Sequence, residues 1–174
     1  IKNSIEDFLI QTYQLKYNGD FITHPLNVIQ AIKSLIGINP EKPNQLLFDF
    51  IPKYLIEFQL QKTAEKEVIQ VEYFASMINL EILLKEKKYT EAKNEILRLL
   101  QVSTGEPILE LLILTSLQNQ CQLPLINSIY RSVKFCNGRD VKYAIILMLH
   151  VMETKVLANE NLKNIQLIHY SATI

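Results

Sequence analysis

The chain has 174 residues, enough for one domain of ordinary size with a substantial core. Hydrophobic residues make up 48% and charged residues 21%, a balance that excludes a disordered chain. Eighteen basic and eighteen acidic side chains leave a formal net charge of zero, which argues against nucleic acid as a main partner, because displacing counterions from phosphate calls for a net basic surface.

Ser4 followed by Asp7 reads as an N-cap with an acidic first turn, opening a helix through about Tyr17 with Ile5, Phe8, Leu9, Thr12 and Leu15 on one face. Asn18-Gly19-Asp20 ends it. Thr23, with Pro25 at the first helical position, starts a second helix carrying Leu26, Ile29, Ile32 and Leu35; Gly37 stands where a left-handed C-cap is expected. Pro40 and Pro43 bracket a short connection. Asn44 to Ile51 is the next helical piece, and Pro52 kinks the chain or restarts a helix running to about Lys62. A very long helix is predicted from Thr63 to about Lys88, its apolar face formed by Val68, Val71, Phe74, Met77, Ile78, Ile82 and Leu84.

Tyr89 to Val102 reads as the antiparallel partner of that helix, with Tyr89, Ala92, Ile96 and Leu99 on one stripe. Ser103 to Pro107 is a compact breaker that also caps the following helix, Pro107 to Gln120. That helix is apolar almost all round, which places it at the centre of the assembly. Pro124 opens another, bearing Ile126, Ile129, Tyr130 and Val133, and Asn137-Gly138 ends it. Asp140 is expected to cap a helix through about Leu157, and a short one spans Asn161 to about His169.

Four glycines and six prolines are too few for a turn-rich sheet, and no alternating segment of useful length occurs. The fold class is therefore all-α, with about eight or nine helices in antiparallel hairpins forming a short irregular solenoid or bundle. Residues 1–174 read as a single helical interaction domain, expected to belong to a longer protein because the chain starts without methionine and stops abruptly at Ile174. The longest apolar stretches, Ile108 to Leu117 and Ala144 to Met152, fall short of the roughly 20 residues that cross a bilayer.

Chemistry-bearing residues are sparse. Cys121 and Cys136 are the only cysteines, without a CxxC, and read as core residues of a reducing setting. His24 before Pro25 reads as part of a cap. His150 with Glu153 reads as a core histidine bonded to a carboxylate, and no histidine shows metal-ligand spacing. Acidic pairs such as Glu6 with Asp7, or Glu65 with Glu67, read as solvated helix faces rather than as a catalytic pair in a dry pocket. No GxSxG, GxxxxGK[ST] or GxGxxG occurs. No catalytic residue, cofactor or metal is expected.

Two basic groups and one aromatic run remain. Lys85, Lys87 and Lys88 lie at a helix end, where cations complement the macrodipole. Arg131, Lys134, Arg139 and Lys142 have the same default reading, with contact to an acidic partner or a lipid headgroup as the functional one. Phe48, Ile51, Leu55 and Phe58 follow one helical stripe, while Phe50 and Tyr54 form another. One stripe packs inward, and the other, left exposed around Pro52, is a candidate protein-binding face.

The run Leu83 to Ala92 resembles the inter-helix turn of a tetratricopeptide-type hairpin, in which an aromatic after the turn and a small residue three later let two helices approach closely. Tyr89 and Ala92 occupy those roles here. Ser76 and Leu80 stand where that family has its tryptophan and glycine, and no repeat of about 34 residues recurs. A second resemblance covers roughly Val68 to Ile168. Gln101-Val102, Pro107, Leu109 to Leu114 and His150-Val151 are similar in order and spacing to the peroxin-26 family. That resemblance implies a non-enzymatic recruiter of an AAA-ATPase complex that recycles peroxisomal import receptors, facing the cytosol, with its membrane anchor beyond Ile174. The alternatives are a helical-repeat scaffold subunit of another trafficking or regulatory complex, and a helical hydrolase or transferase whose dispersed site includes a polar cleft at His150.

Overall fold

Side-chain caps at His24, Asn44 and Ser76 mark where three of the helices begin. The computed structural model describes residues 2–60, 75–118 and 123–154, and among these the regular structure is helical apart from one isolated antiparallel bridge, Leu15 to Leu60. Helix α1 spans Lys2–Tyr13, and a 3-10 turn, Phe21–Thr23, leads into α2, Pro25–Ile36. They are followed by α3 (Gln45–Leu55), α4 (Met77–Lys85), α5 (Tyr89–Val102), α6 (Glu106–Gln118) and α7 (Leu123–Phe135). Residues 141–154 form α8. Among the described residues the all-α class, with about eight helices, is as the periodicity predicts.

Several boundaries differ from the sequence expectation. Ser4 lies inside α1 rather than capping it, and α1 stops at Tyr13 instead of Tyr17. It stops there because Leu15 enters the bridge with Leu60 and the Lys16 amide donates to the Gln59 carbonyl at 2.8 Å. The same pairing ends α3 at Leu55, well before Lys62. Pro25 opens α2 as expected, but His24 rather than Thr23 caps it, its Nδ1 accepting from the Leu26 amide at 3.1 Å. Gly37 is right-handed, at φ −70°, not left-handed. Asp140 precedes α8 with φ 57°, outside the extended region of an ordinary N-cap.

The long helix expected from Thr63 is not continuous up to Lys88. Ser76 has extended backbone, its side chain accepts from the Asn79 amide, and α4 begins only at Met77. The buried Glu95 carboxylate on α5 accepts from the Ser76 amide at 2.7 Å, so the facing helix holds the start of α4. Val68, Val71, Phe74, Glu65, Glu67, Cys121 and the helix expected over Asn161 to His169 lie outside the described residues.

Successive helices pack on one another, α1 on α2, α2 on α3 and α4 on α5, as short antiparallel connections require. Yet α7 returns to pack on α1 and α2, and α4 also meets α6. An open solenoid makes only neighbour contacts, so this is an irregular bundle. The helix buried on most sides is α8, not α6. Ala144, Ile145, Met148 and Val151 are fully buried, with Leu147, Leu149 and Met152 nearly so. By contrast α6 buries Ile108, Leu109 and Leu112 but leaves Leu114 and Leu117 exposed. Overall hydrophobicity told which helices are apolar; which of them lies innermost depends on what packs around each.

The interior carries a short polar relay. Tyr13 donates its hydroxyl to Ser132 Oγ at 2.7 Å, and Ser132 donates on to the Ile129 carbonyl at 2.8 Å, joining α1 to α7. Burial raises the Tyr13 phenol pKa well above its usual value, so it stays a neutral donor. Tyr13→Phe is expected to lower the unfolding free energy by about 1 kcal/mol, because Ser132 keeps its acceptor and only one buried hydrogen bond is lost. Urea denaturation measures this; an unchanged midpoint would show that the relay contributes nothing.

Candidate functional site

The aromatic run sits on α3. Asn44 caps this helix by accepting from the Leu46 amide at 3.0 Å, and the buried Ile51 and Leu55 set its inward side. Pro52 lies inside the helix on its exposed side. Phe48 turns towards α1 and meets Phe8 edge-on, with ring centroids 6.2 Å apart. Phe50 stacks on Tyr54 at 5.4 Å with the rings 18° from parallel. Tyr54 meets Phe58 edge-on at 5.1 Å, Phe58 leans on Tyr17 at 6.1 Å, and Tyr17 reaches the buried His24 at 5.1 Å.

The two aromatic stripes thus have different roles. Phe48 and Phe58 are half-buried joints between elements, and Phe50, 44% exposed, is the outer end of a continuous ladder of rings. Leu46, 80% exposed, lies four residues before Phe50 and extends the same stripe. The sequence reading missed Leu46, although its spacing from Phe50 and Tyr54 was there to be read. Burial, with Tyr17 and Glu57 nearby, raises the Tyr54 phenol pKa above its usual value and leaves it neutral. A stacked, uncharged aromatic surface on a rigid helix offers contact area at little cost in side-chain entropy.

The second basic group does not assemble as the sequence suggests. Arg139 binds Asp7 at 2.7 Å and approaches Glu6 at 3.8 Å, tying the turn after α7 to α1. Lys142 lies over the Tyr143 ring at 4.7 Å, and Lys134 over Tyr130 at 5.9 Å. Arg131 reaches across to α2, where Nη2 donates to Ser34 Oγ at 3.4 Å. Long-range pairing has removed Arg139 from the group, because Glu6 and Asp7 are brought beside it only by the fold. In the first group, Lys85 pairs with Glu81 and Lys88 with Glu86, as solvated helix-end cations do.

The remaining candidates read as structural. His150 is exposed rather than a core residue, and its ring meets Phe21 edge-on at 6.2 Å. Among the described residues the buried histidine is His24. Cys136 is buried next to the Glu6 carbonyl, and burial followed by the Glu6 charge pushes its thiol pKa up to about 11, so it is protonated at neutral pH. Glu95, which the sequence reading passed over, is held by the Ser76 amide and by Arg98 at 3.4 Å. Its place three residues after Ala92 on the buried stripe of α5 was the available signal. Glu95 and Arg98 border a recess of about 220 Å³ with Asn79, Leu83, Glu91 and Asn94. Among the described residues no group of three or more His, Cys, Asp or Glu is placed to hold a metal ion, and no helix is long and apolar enough to cross a membrane. Compared with protein-family models, curated proteins and solved structures, the chain matches none of them.

Proposed function

We propose that this chain is a non-catalytic adaptor that binds another protein through the Leu46, Phe50 and Tyr54 stripe of α3. The observation that carries the reading is the stacked Phe50–Tyr54 pair, held from behind by Phe58 and Tyr17 yet open to solvent at its outer ring. Exposed aromatics backed by a rigid scaffold are the usual anchors of protein interfaces, since they release water over a large area without ordering a flexible side chain. The resemblance to the peroxin-26 family supplies a specific partner: the AAA-ATPase complex that recycles peroxisomal import receptors, met at the cytosolic side of the peroxisome.

Affinity capture of the tagged protein from native cells, followed by mass spectrometry, tests both levels. Recovery of AAA-ATPase subunits is expected, and their consistent absence removes the peroxisomal assignment. A constant set of other subunits instead would make the chain a scaffold component of a different complex. The Phe50→Asp/Tyr54→Asp variant is expected to keep the fold, since both side chains reach solvent, and to lose partner recovery tenfold or more, an effect of about 1.4 kcal/mol or larger. Undiminished capture by a folded variant would rule out the α3 surface.

A further inference from the structure

The fold builds a cationic group that does not coincide with the one visible in the sequence. Lys33 on α2 lies 4.6 Å from the centroid of the Phe135 ring at the end of α7, and Lys2 approaches the same ring at 5.8 Å. Arg131 stands on α7 one turn before Phe135 and Lys134 immediately before it, and Arg131 is bonded to Ser34, the residue after Lys33. Lys33 and Arg131 therefore face one another across the seam between two packed helices, with Lys134 three residues after Arg131 on the exposed side of α7. Among the described residues none of the three forms an ion pair with a carboxylate. On α1, Glu6 is already engaged by Lys2 and Arg139, and Asp7 by Arg139.

Such a group is electrostatically incomplete. Burial first, and then the charge of Arg131, lower the Lys33 ammonium pKa below its ordinary value, so Arg131 stands close enough for the two charges to interact. An anion seated between them would relieve the repulsion. Ser34 takes only one Nη2 hydrogen bond of Arg131, which leaves guanidinium N–H groups for a forked bond to a carboxylate. The Phe135 ring beside Lys33, and the half-exposed Tyr130 ring beside Lys134, each offer an apolar flank to the methylene stem of such a side chain. Exposed Leu35 lies two residues from Lys33 and so does not share its helix face, which disfavours a bilayer that must meet cations and apolar side chains together.

We infer that Lys33, Arg131 and Lys134 form a docking site for an acidic peptide segment of a protein partner, one that presents two or three Asp or Glu side chains to this seam. The inference rests on the adaptor reading only in choosing a peptide over a free anion.

The test is fluorescence anisotropy of a labelled hexaglutamate peptide titrated with the purified full chain. Binding is expected to weaken roughly tenfold between about 50 and about 300 mM NaCl, because the Debye length shortens over that range. The Lys33→Gln/Arg131→Gln/Lys134→Gln variant is expected to bind tenfold or more weakly, while Lys53→Gln on α3 changes affinity less than twofold. The three side chains are exposed or half-buried, and the single variants serve if the triple one fails to fold. Failure of the wild type to bind hexaglutamate overturns the proposal, as does a folded triple variant that binds like the wild type. Sedimentation with phosphatidylserine vesicles that depends on the same three residues, without peptide binding, also overturns it and assigns the site to lipid. Competition by millimolar inorganic phosphate at peptide-like affinity overturns the peptide assignment in favour of a small anion. Since hexaglutamate is read without the native partner, failure here leaves the Phe50→Asp/Tyr54→Asp capture result standing, and the reverse holds too.

Discussion

Replacing Gly105 by alanine is expected to lower the unfolding free energy by about 2 to 5 kcal/mol. Gly105 has φ +86°, in the left-handed region where a Cβ costs roughly 1 to 2 kcal/mol. A Cβ there would also stand 2.8 Å from Val141 Cγ1 and 3.2 Å from both Ile145 Cδ1 and Leu100 Cδ2. Val141 and Ile145 belong to α8, the most enclosed helix, so they have little room to retreat, and overpacking adds about 1 to 3 kcal/mol. The thermal midpoint is expected to fall by roughly 5 to 15 °C. Gly37 supplies the opposite case within the same chain. Its φ is −70° and the nearest atoms to an added Cβ are backbone oxygens at 3.4 and 3.5 Å. Gly37→Ala is therefore expected to stabilise by about 0.5 kcal/mol, through lost freedom of the unfolded chain. Equal effects of the two substitutions in a denaturation series would refute this account of the Gly105 turn.

Acidification supplies the second large effect, through His24. This ring is almost completely buried, caps α2 through Nδ1, and stacks edge-on with Tyr17. Burial first, and then the proximity of His150, lower its pKa from 6.5 to about 4. Above pH 6.5 the side chain is neutral in both folded and unfolded chains, and the full stability is present. Between pH 6.5 and about 4 the unfolded chain takes up a proton that the folded chain refuses, so stability declines steadily as the pH falls. The integrated loss is about 3 kcal/mol. Protonation also turns Nδ1 from an acceptor into a donor, which sets it against the Leu26 amide and ends the cap. His24→Asn keeps a capping acceptor and removes the titration, so its urea midpoints are expected to change less between pH 7 and pH 4 than those of the wild type. Parallel pH profiles for the two proteins would exclude His24 as the source.

These two expectations, with the α3 surface, show how unevenly the molecule was legible. Pro25 and Asn44 announced the starts of α2 and α3 because those signals act within one helical turn. The stripe through Tyr89, Ala92, Ile96 and Leu99 was likewise readable, and all four are buried. The end of α1 was not. Nothing local stops a helix at Tyr13; the backbone pairing of Leu15 and Lys16 with Leu60 and Gln59 does, across more than forty intervening residues. Ser76 was read as helix interior because the amide-to-Glu95 bond that holds it extended comes from another helix.

The candidate surfaces divide the same way. Phe50 and Tyr54 were identifiable because ring stacking at a spacing of four is a property of one helix. The cationic seam was not, since Lys33 and Arg131 are 98 positions apart in the chain and meet only when α7 returns onto α2. Asp7 and Arg139, equally remote, cancel one another for the same reason.

What the amino-acid order determined by itself is the helical class and most helix starts, because propensity, capping and apolar periodicity act within a few residues. Tertiary structure alone decided where helices stop, which apolar helix lies innermost, and which charges remain uncompensated. Those outcomes depend on the competing contacts of segments that are distant along the chain and adjacent in space.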